Sequence, residues 1–226
     1  MPRRGPKSGA FQEPKQKRTR EQLARILAAA DELFAERGYE GTRLADIATA
    51  VPCSMSTIYD RFASKEELLR YMHRRGTEDA IAMIDQIERP VAAGTDLRSV
   101  LPGAVQLGLE LIHRFRGRRR AVVERMFVDP VLMELELELR EALLDAGRRF
   151  LLAYRDQFDH PDPELAAAQA MRLLMVLTED HRSPVPAPKR SALDDQAFVR
   201  EVSRMVIGYL GMSSGGFDKH GVPVPQ

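Results

Sequence analysis

A run of hydroxyl and cationic side chains able to meet an anion lies between Thr42 and Lys65. Hydroxyls stand at Thr42, Ser54, Ser56, Thr57 and Tyr59, and cations at Arg43, Arg61 and Lys65. Small hydroxyls allow close approach to bases and phosphates, and an arginine can reach a phosphate or a guanine edge. Lys65 falls in the first turn of a predicted helix, where a cation opposes the helix dipole unless an anion such as phosphate meets it. Helix starts at Thr42, Ser54 and Ser64 add N-terminal amides, which are ready anion sites. Met55 either touches a thymine methyl or extends the apolar stripe of Ile58 and Phe62. This chemistry is recognition of a polyanion, not the making of bonds.

Catalysis would need a nucleophile beside a base, or a metal cluster. Cys53 is the single cysteine, and it has no histidine near it in sequence. His73, His113, His160, His181 and His220 are scattered, with no pair at i, i+3 or i+4. No glycine-rich phosphate loop occurs. The expectation is therefore no enzyme, no catalytic residue, no cofactor and no metal site. One cysteine excludes an intrachain disulfide and suits a reducing cytoplasm. No stretch approaches the ~20 apolar residues of a membrane span, and no apolar run follows the basic N-terminus as a signal peptide requires. A cytoplasmic protein without a membrane partner is expected.

The elements that must position these residues read as helices almost throughout. Leu23, Ile26, Leu27, Ala30, Leu33 and Phe34 share one face of a helix over residues 20–37. Thr19 with Gln22 predicts its capping box, and Gly38 its left-handed stop. Leu44, Ile47, Ala48 and Val51 predict a second helix after Thr42. Pro52 ends it, and a short third helix begins after Ser54 with Ile58 and Phe62 inward. Ser64 and Glu67 cap a fourth, to about Glu88. Further helices are expected over 96–116, 118–127, 130–158, 163–180 and 193–210. The alternating run Met133–Leu139 is read as helix, because apolar residues keep a 3.6 period around it from Leu132 to Phe150. Glu134, Glu136, Glu138 and Glu141 then read as a solvated face. Three short helices with a tight turn between the second and third describe a helix-turn-helix, whose third helix enters the major groove. Net charge is +1, yet residues 1–65 hold 12 Lys/Arg against 8 Asp/Glu. The surplus lies in a Pro/Gly-containing tail with almost no apolar residue, expected to be disordered. That tail is either a phosphate-contacting arm or a solubilising segment.

Residues 23–68 resemble the DNA-binding domain of the tetracycline-repressor (TetR) family. The resemblance rests on Ile26, Ala29, Leu33, Phe34, Gly38, Tyr39, Thr42, Ile47, Ala48, the run Ser54-Met-Ser-Thr-Ile-Tyr59, Phe62 and Ser64-Lys-Glu-Glu-Leu68, aligned without gaps. It implies an all-α fold: an N-terminal three-helix helix-turn-helix domain and a C-terminal helical bundle for ligand binding and dimerisation. The implied segments are a disordered basic tail over 1–18, the DNA-binding domain over 19–65, the bundle over 66–212 and a flexible tail over 213–226. It also implies DNA contacts from Thr42, Arg43, Ser54, Met55, Ser56, Thr57, Tyr59, Arg61 and Lys65. Many relatives carry glycine where this chain has Pro52 and Ser56, and a basic residue where it has Met55. Pro52 excludes a left-handed turn residue at its own position, so the angle between helices two and three can differ here.

For the remainder, the resemblance implies a homodimer on a palindromic double-stranded operator, released by a small effector. Met72, Met83, Phe115, Met126, Phe127, Met133, Phe150, Met171 and Met175 offer malleable apolar walls for an apolar effector, or plain core packing. Leu165, Ala168, Gln169, Arg172, Leu173 and Val176 on one late helix would form the dimer interface, with Phe198, Val202, Met205 and Tyr209 on the last. The bundle can alternatively bind a protein partner. Arg114, Arg116, Arg118, Arg119 and Arg120 read as a solvated charge run, or as a site for an anionic ligand or DNA.

Overall fold

The computed structural model describes residues 17–87, 94–182 and 192–212, with side chains to 82 in the first span. Every regular element among the described residues is helical. They are α1 (Lys17–Arg37), α2 (Leu44–Ala50), α3 (Met55–Tyr59), α4 (Lys65–Ile87), α5 (Leu97–Arg114), α6 (Arg116–Arg125), α7 (Pro130–Leu152), a short 3-10 turn (Arg155–Gln157), α8 (Pro163–His181) and α9 (Asp195–Tyr209). Met133–Leu139 is helical, as the surrounding period predicted. The expected tails, before Lys17 and from residue 213, and the proline-rich connector 183–191 lie outside the described residues.

Packing divides the chain into two units. One holds the chain up to Glu78 together with Phe115–Glu138; the other holds Asp79–Arg114 and the chain from Leu139 on. Residues 115–138 thus fall in the unit of the N-terminal helices, where the sequence reading had placed them in the bundle.

In the first unit, Leu23, Ile26, Ala30 and Phe34 of α1 close over Ile47, Ile58, Phe62, Leu68, Ala121 and Val122. Helix α6 presses on α1 because Gly117 has no side chain: a Cβ there would lie 1.7 Å from the Asp31 backbone oxygen. Asp31 in turn accepts the Arg118 backbone N–H at 2.8 Å, so α1 supplies the cap for α6. Burial pushes the Asp31 carboxyl above its usual range, in spite of the amides of Arg118 and Gly117.

The arginine run is solvated in part: Arg114, Arg116 and Arg120 are exposed and Arg119 is half-buried. Arg118 is only 8% exposed. Its guanidinium fills the space left by Gly76 of α4, donates to the Met72 backbone oxygen at 3.1 Å and lies over the Phe115 ring. Arg120 donates to the Ala35 and Glu36 oxygens at the end of α1, where cations complement the helix dipole. Glu136 also leaves the expected solvated face. It lies 3.3 Å from His73 Nε2, and His73 is 3% exposed. Asp129 caps α7 through the Leu132 N–H and takes a two-pronged bond from Arg70, with both arms at 2.9 Å.

Some helix ends differ from expectation. Lys17 and Arg18 are already helical, so Thr19 lies inside α1 and is not its cap. Helix α7 stops at Leu152, short of 158. Tyr154 turns into the second core, and Gln157 ties the chain to Thr95 and Leu97 by hydrogen bonds of 2.8 and 3.0 Å.

The second unit packs α5, α8 and α9 around Leu101, Leu109, Ala167, Ala170, Val202 and Val206. Asp162 and Asp194 cap α8 and α9, accepting from Leu165 N and Ala197 N.

Candidate nucleic-acid interface

Helix α2 ends because Val51 is extended before Pro52, the conformation that a proline imposes on the residue before it. No described non-glycine residue has positive φ, so the turn into α3 is built without a left-handed residue. Ser54 then caps α3, its Oγ accepting the Thr57 N–H at 3.3 Å. Ile58 is the side chain that α3 buries, and Phe62 joins it in the core. Outward, Ser54 Oγ lies 2.7 Å from Ser56 Oγ and 2.9 Å from Thr57 Oγ1. Three hydroxyls thus form one cluster at the start of the short helix. Tyr59 is 50% exposed, and Arg61 is half-buried. Arg43 is exposed at the N-cap of α2, its N–H taken by Asp46 Oδ2 at 2.8 Å.

Three of the expected contacts are placed otherwise. Thr42 is fully buried, and its hydroxyl donates to the backbone oxygens of Gly38 (2.8 Å) and Leu33 (3.2 Å). It neither caps α2 nor reaches solvent. Met55 packs partly against the core, which favours the apolar stripe over a thymine methyl. Lys65 Nζ donates to the backbone oxygens of Tyr39 (2.6 Å) and Thr42 (2.8 Å), so internal carbonyls answer the cation that the helix dipole left unexplained.

Tyr39 carries no anion-binding signal of its own in the sequence, yet it organises the support behind these residues. Its N–H donates to Glu124 Oε2 at 2.7 Å, and Lys65 and Arg125 lie 3.9 and 5.0 Å from its ring centre. Burial, and then Glu66, push its phenol up; the phenol in turn holds the Glu66 carboxyl below its usual range. The one sequence signal for this support is Lys65 itself, a cation at the wrong end of a helix.

Met72, Phe115, Met126, Phe127 and Met133 belong to the first unit, whereas Phe150, Met171 and Met175 belong to the second. Met72 is first-unit core, and Phe127 is 77% exposed, so neither is a pocket wall there. Met83 lies in α4, and its side chain is outside the described residues. On the late helices, Leu165, Gln169, Arg172, Leu173 and Val176 share an exposed face, and Met205 and Tyr209 are exposed on α9. Phe198 and Val202 face inward and cover their own core.

Residues 26–72, spanning this helix-turn-helix, match the model of the bacterial regulatory proteins of the tetR family. The HTH-type transcriptional repressor KstR2 of Rhodococcus jostii (strain RHA1) is 31% identical over 133 residues, covering 54% of this chain and 63% of that protein. The HTH-type transcriptional activator FasR of Mycolicibacterium smegmatis is 28% identical over 127 residues, covering 56% of this chain and 57% of that protein. The match thus spans about three fifths of these relatives' length. Among solved structures, a Mesorhizobium loti protein assigned to the TetR family superposes with a TM-score of 0.70 at 19% identity, over 87% of this chain and 98% of that one. A complex of SmeT with triclosan gives 0.63 at 22% identity, over 93% and 98%. These two likenesses establish the fold: all-α, with an N-terminal helix-turn-helix. The family model over residues 26–72 and the curated relatives over more than half of the chain agree on one likeness, to the tetR family of bacterial transcriptional regulators.

Proposed function

We propose that this chain is a repressor that holds a palindromic double-stranded operator as a homodimer and lets go when a small apolar effector binds its helical second unit. The observation that carries the DNA-binding part is the hydroxyl cluster at the start of α3, exposed Ser54 and Ser56 with half-buried Thr57, beside Tyr59 and Arg61. Hydroxyls of that size suit close reading of base edges, and Arg43, Tyr59 and Arg61 suit phosphates. Thr42 and Lys65 serve behind them as supports. Of the two curated relatives, the one with higher identity is named a repressor, which supports repression over activation. The exposed apolar face of α8 with Met205 and Tyr209 of α9 supports a two-fold dimer, as a palindrome requires. Triclosan in the SmeT complex supports an apolar effector, for which Phe150, Met171 and Met175 offer adaptable walls. Coupling between effector and DNA would be about 1–3 kcal/mol, the ordinary range. Such a regulator acts in the cytoplasm.

A second reading has its own observation. Phe127, Val128 and Val131 stand exposed at a corner that the Arg70–Asp129 pair holds rigid. Exposed apolar patches of this kind mark protein contacts, and the effector would then be a protein.

The test is selection of bound duplexes from a random pool, then fluorescence anisotropy. A palindromic consensus bound about 1,000-fold or more tighter than random duplex is expected. Equal affinity for both would overturn the reading. Native mass spectrometry of the purified protein, free of DNA, then separates a retained small molecule from a retained protein.

A further inference from the structure

Loop 39–42 joins the end of α1 to the cap of α2, and it is gripped from three sides. Lys65, at the start of α4, binds the carbonyl at each end of it, Tyr39 at 2.6 Å and Thr42 at 2.8 Å. From within, the Thr42 hydroxyl donates to the Gly38 and Leu33 oxygens. From α6, Glu124 takes the Tyr39 N–H at 2.7 Å. Nothing in this arrangement needs DNA to explain Lys65. Two of its three N–H groups are spent on carbonyls, and its charge lies 3.9 Å from the Tyr39 ring centre.

We propose that Lys65 is a positioning residue for sequence recognition: it clamps loop 39–42 onto α4, with Thr42 as the inner peg, and so sets the pitch at which α2 presents α3. This rests on the DNA-binding reading of α3. A four-residue loop tied at both ends to one ammonium cannot swing α2 without breaking a charge-assisted hydrogen bond. Base contacts are short and directional, so a small tilt of α3 removes them. Phosphate attraction is long-ranged and tolerates the same tilt. The clamp therefore acts on specific affinity and leaves the electrostatic part alone.

The test compares Lys65→Met and Thr42→Val with the parent, using the full chain. Anisotropy titrations over a range of salt use a duplex recovered by selection from a random pool, and a random-sequence duplex. Thermal melts establish that each variant is folded. Both variants should lose about tenfold on the selected duplex, the worth of a charge-assisted bond for Lys65→Met and of the two hydroxyl bonds to Gly38 and Leu33 for Thr42→Val. Binding to random duplex and the salt slope should stay at the parent's values in Thr42→Val, which changes no charge; in Lys65→Met the loss on the selected duplex should exceed the loss on random duplex by about that tenfold. A phosphate contact behaves differently: Lys65→Met would lose affinity equally on both duplexes, and the salt slope would fall by about one unit. That result, or no loss at all, overturns the proposal. Thr42 is buried and cannot touch DNA. Should Lys65→Met fail to fold, Thr42→Val decides alone, by losing specific affinity at an unchanged slope or not losing it. If the parent itself binds both duplexes equally, the DNA-binding reading fails and takes this one with it.

Discussion

A Cβ added at Gly117 would lie 1.7 Å from the Asp31 oxygen, 2.6 Å from the Asp31 carbonyl carbon and 2.9 Å from the Ala35 nitrogen. Ordinary contact begins near 3.4 Å, so in Gly117→Ala helix α6 must retreat from α1 by more than an ångström. All three atoms are α1 backbone, so no side-chain rotation relieves the clash. The retreat also stretches the Arg118 N–H bond to Asp31 and loosens Ala121 and Val122 in the core. Overpacking typically costs ~1–3 kcal/mol, and a collision with backbone belongs at the upper end, about 3 kcal/mol. For a chain of this size each kcal/mol moves the melting temperature by about 2–4 °C, so a fall of about 6–12 °C is expected. Far-ultraviolet circular dichroism during a thermal melt measures it. Gly103→Ala in α5 is the control, since nothing lies within 4 Å of its added carbon. It should gain about 0.5–1 kcal/mol from helix propensity alone. A Gly117→Ala melt within about 2 °C of the parent, under 1 kcal/mol, would refute the close packing of α1 and α6.

Thr57→Ala removes one member of the hydroxyl cluster without touching the Ser54 cap. Sequence preference should change at one half-site position by about 1–3 kcal/mol, while the salt slope stays fixed, as repeated selection and titration would show. For Asp129, burial alone would raise the carboxyl, but the Arg70 fork and the Leu132 N–H outweigh it and the net shift is downward from 3.8. The ionised form is therefore favoured by folding: its contribution is complete above the unfolded value and disappears as pH falls through the lower folded one. Asp129→Asn should destabilise the protein at neutral pH, and the difference from the parent should shrink as pH drops below about 4 in urea titrations. Val176 and Met205 are 55% and 53% exposed on α8 and α9. If these helices form the proposed dimer, the double variant Val176→Glu/Met205→Glu should sediment as monomer at micromolar concentration and the parent as dimer. Unchanged sedimentation would remove these helices from the interface.

The helices and the turn were legible because their signals are local. Buried Leu44, Ile47 and Ile58 sit at helical spacing, Ser54 caps the helix that begins at Met55, and Pro52 marks the break. The placement of Met133–Leu139 in a helix came from period alone. The features that were not legible depend on distant partners or on backbone. Lys65 binds two carbonyls, and a carbonyl leaves no mark in a sequence. Arg118 looked solvated among its neighbours, because the notch that admits it is a glycine on another helix. Phe198 and Val202 shared a stripe with Met205 and Tyr209, but a helical stripe is wide enough for part of it to cover its own core and part to face outward. Thr42 carried the residue type of a helix cap, yet Arg43 occupies the cap, one residue later, and the hydroxyl turned inward.

The same distant contacts bear on how the reading head is held. Helix α6 is fixed to α1 by the Gly117 approach, by Asp31 at its N-terminus and by Arg120 on the last α1 carbonyls. It is fixed to α4 by Arg118 in the Gly76 notch. Its Glu124 and Arg125 reach Tyr39, whose carbonyl and ring Lys65 engages from α4. Loop 39–42 is thus the place where forces from α1, α4 and α6 converge, and it directly precedes α2. A displacement of α6 by more than a few tenths of an ångström must either break one of these bonds or carry the loop with it. Close-packed interfaces of this kind switch between discrete arrangements and do not deform smoothly. On the proposed DNA-binding reading, the hydroxyls at the start of α3 would decide which bases are read, and the Tyr39 loop whether they are presented at the angle that reading requires.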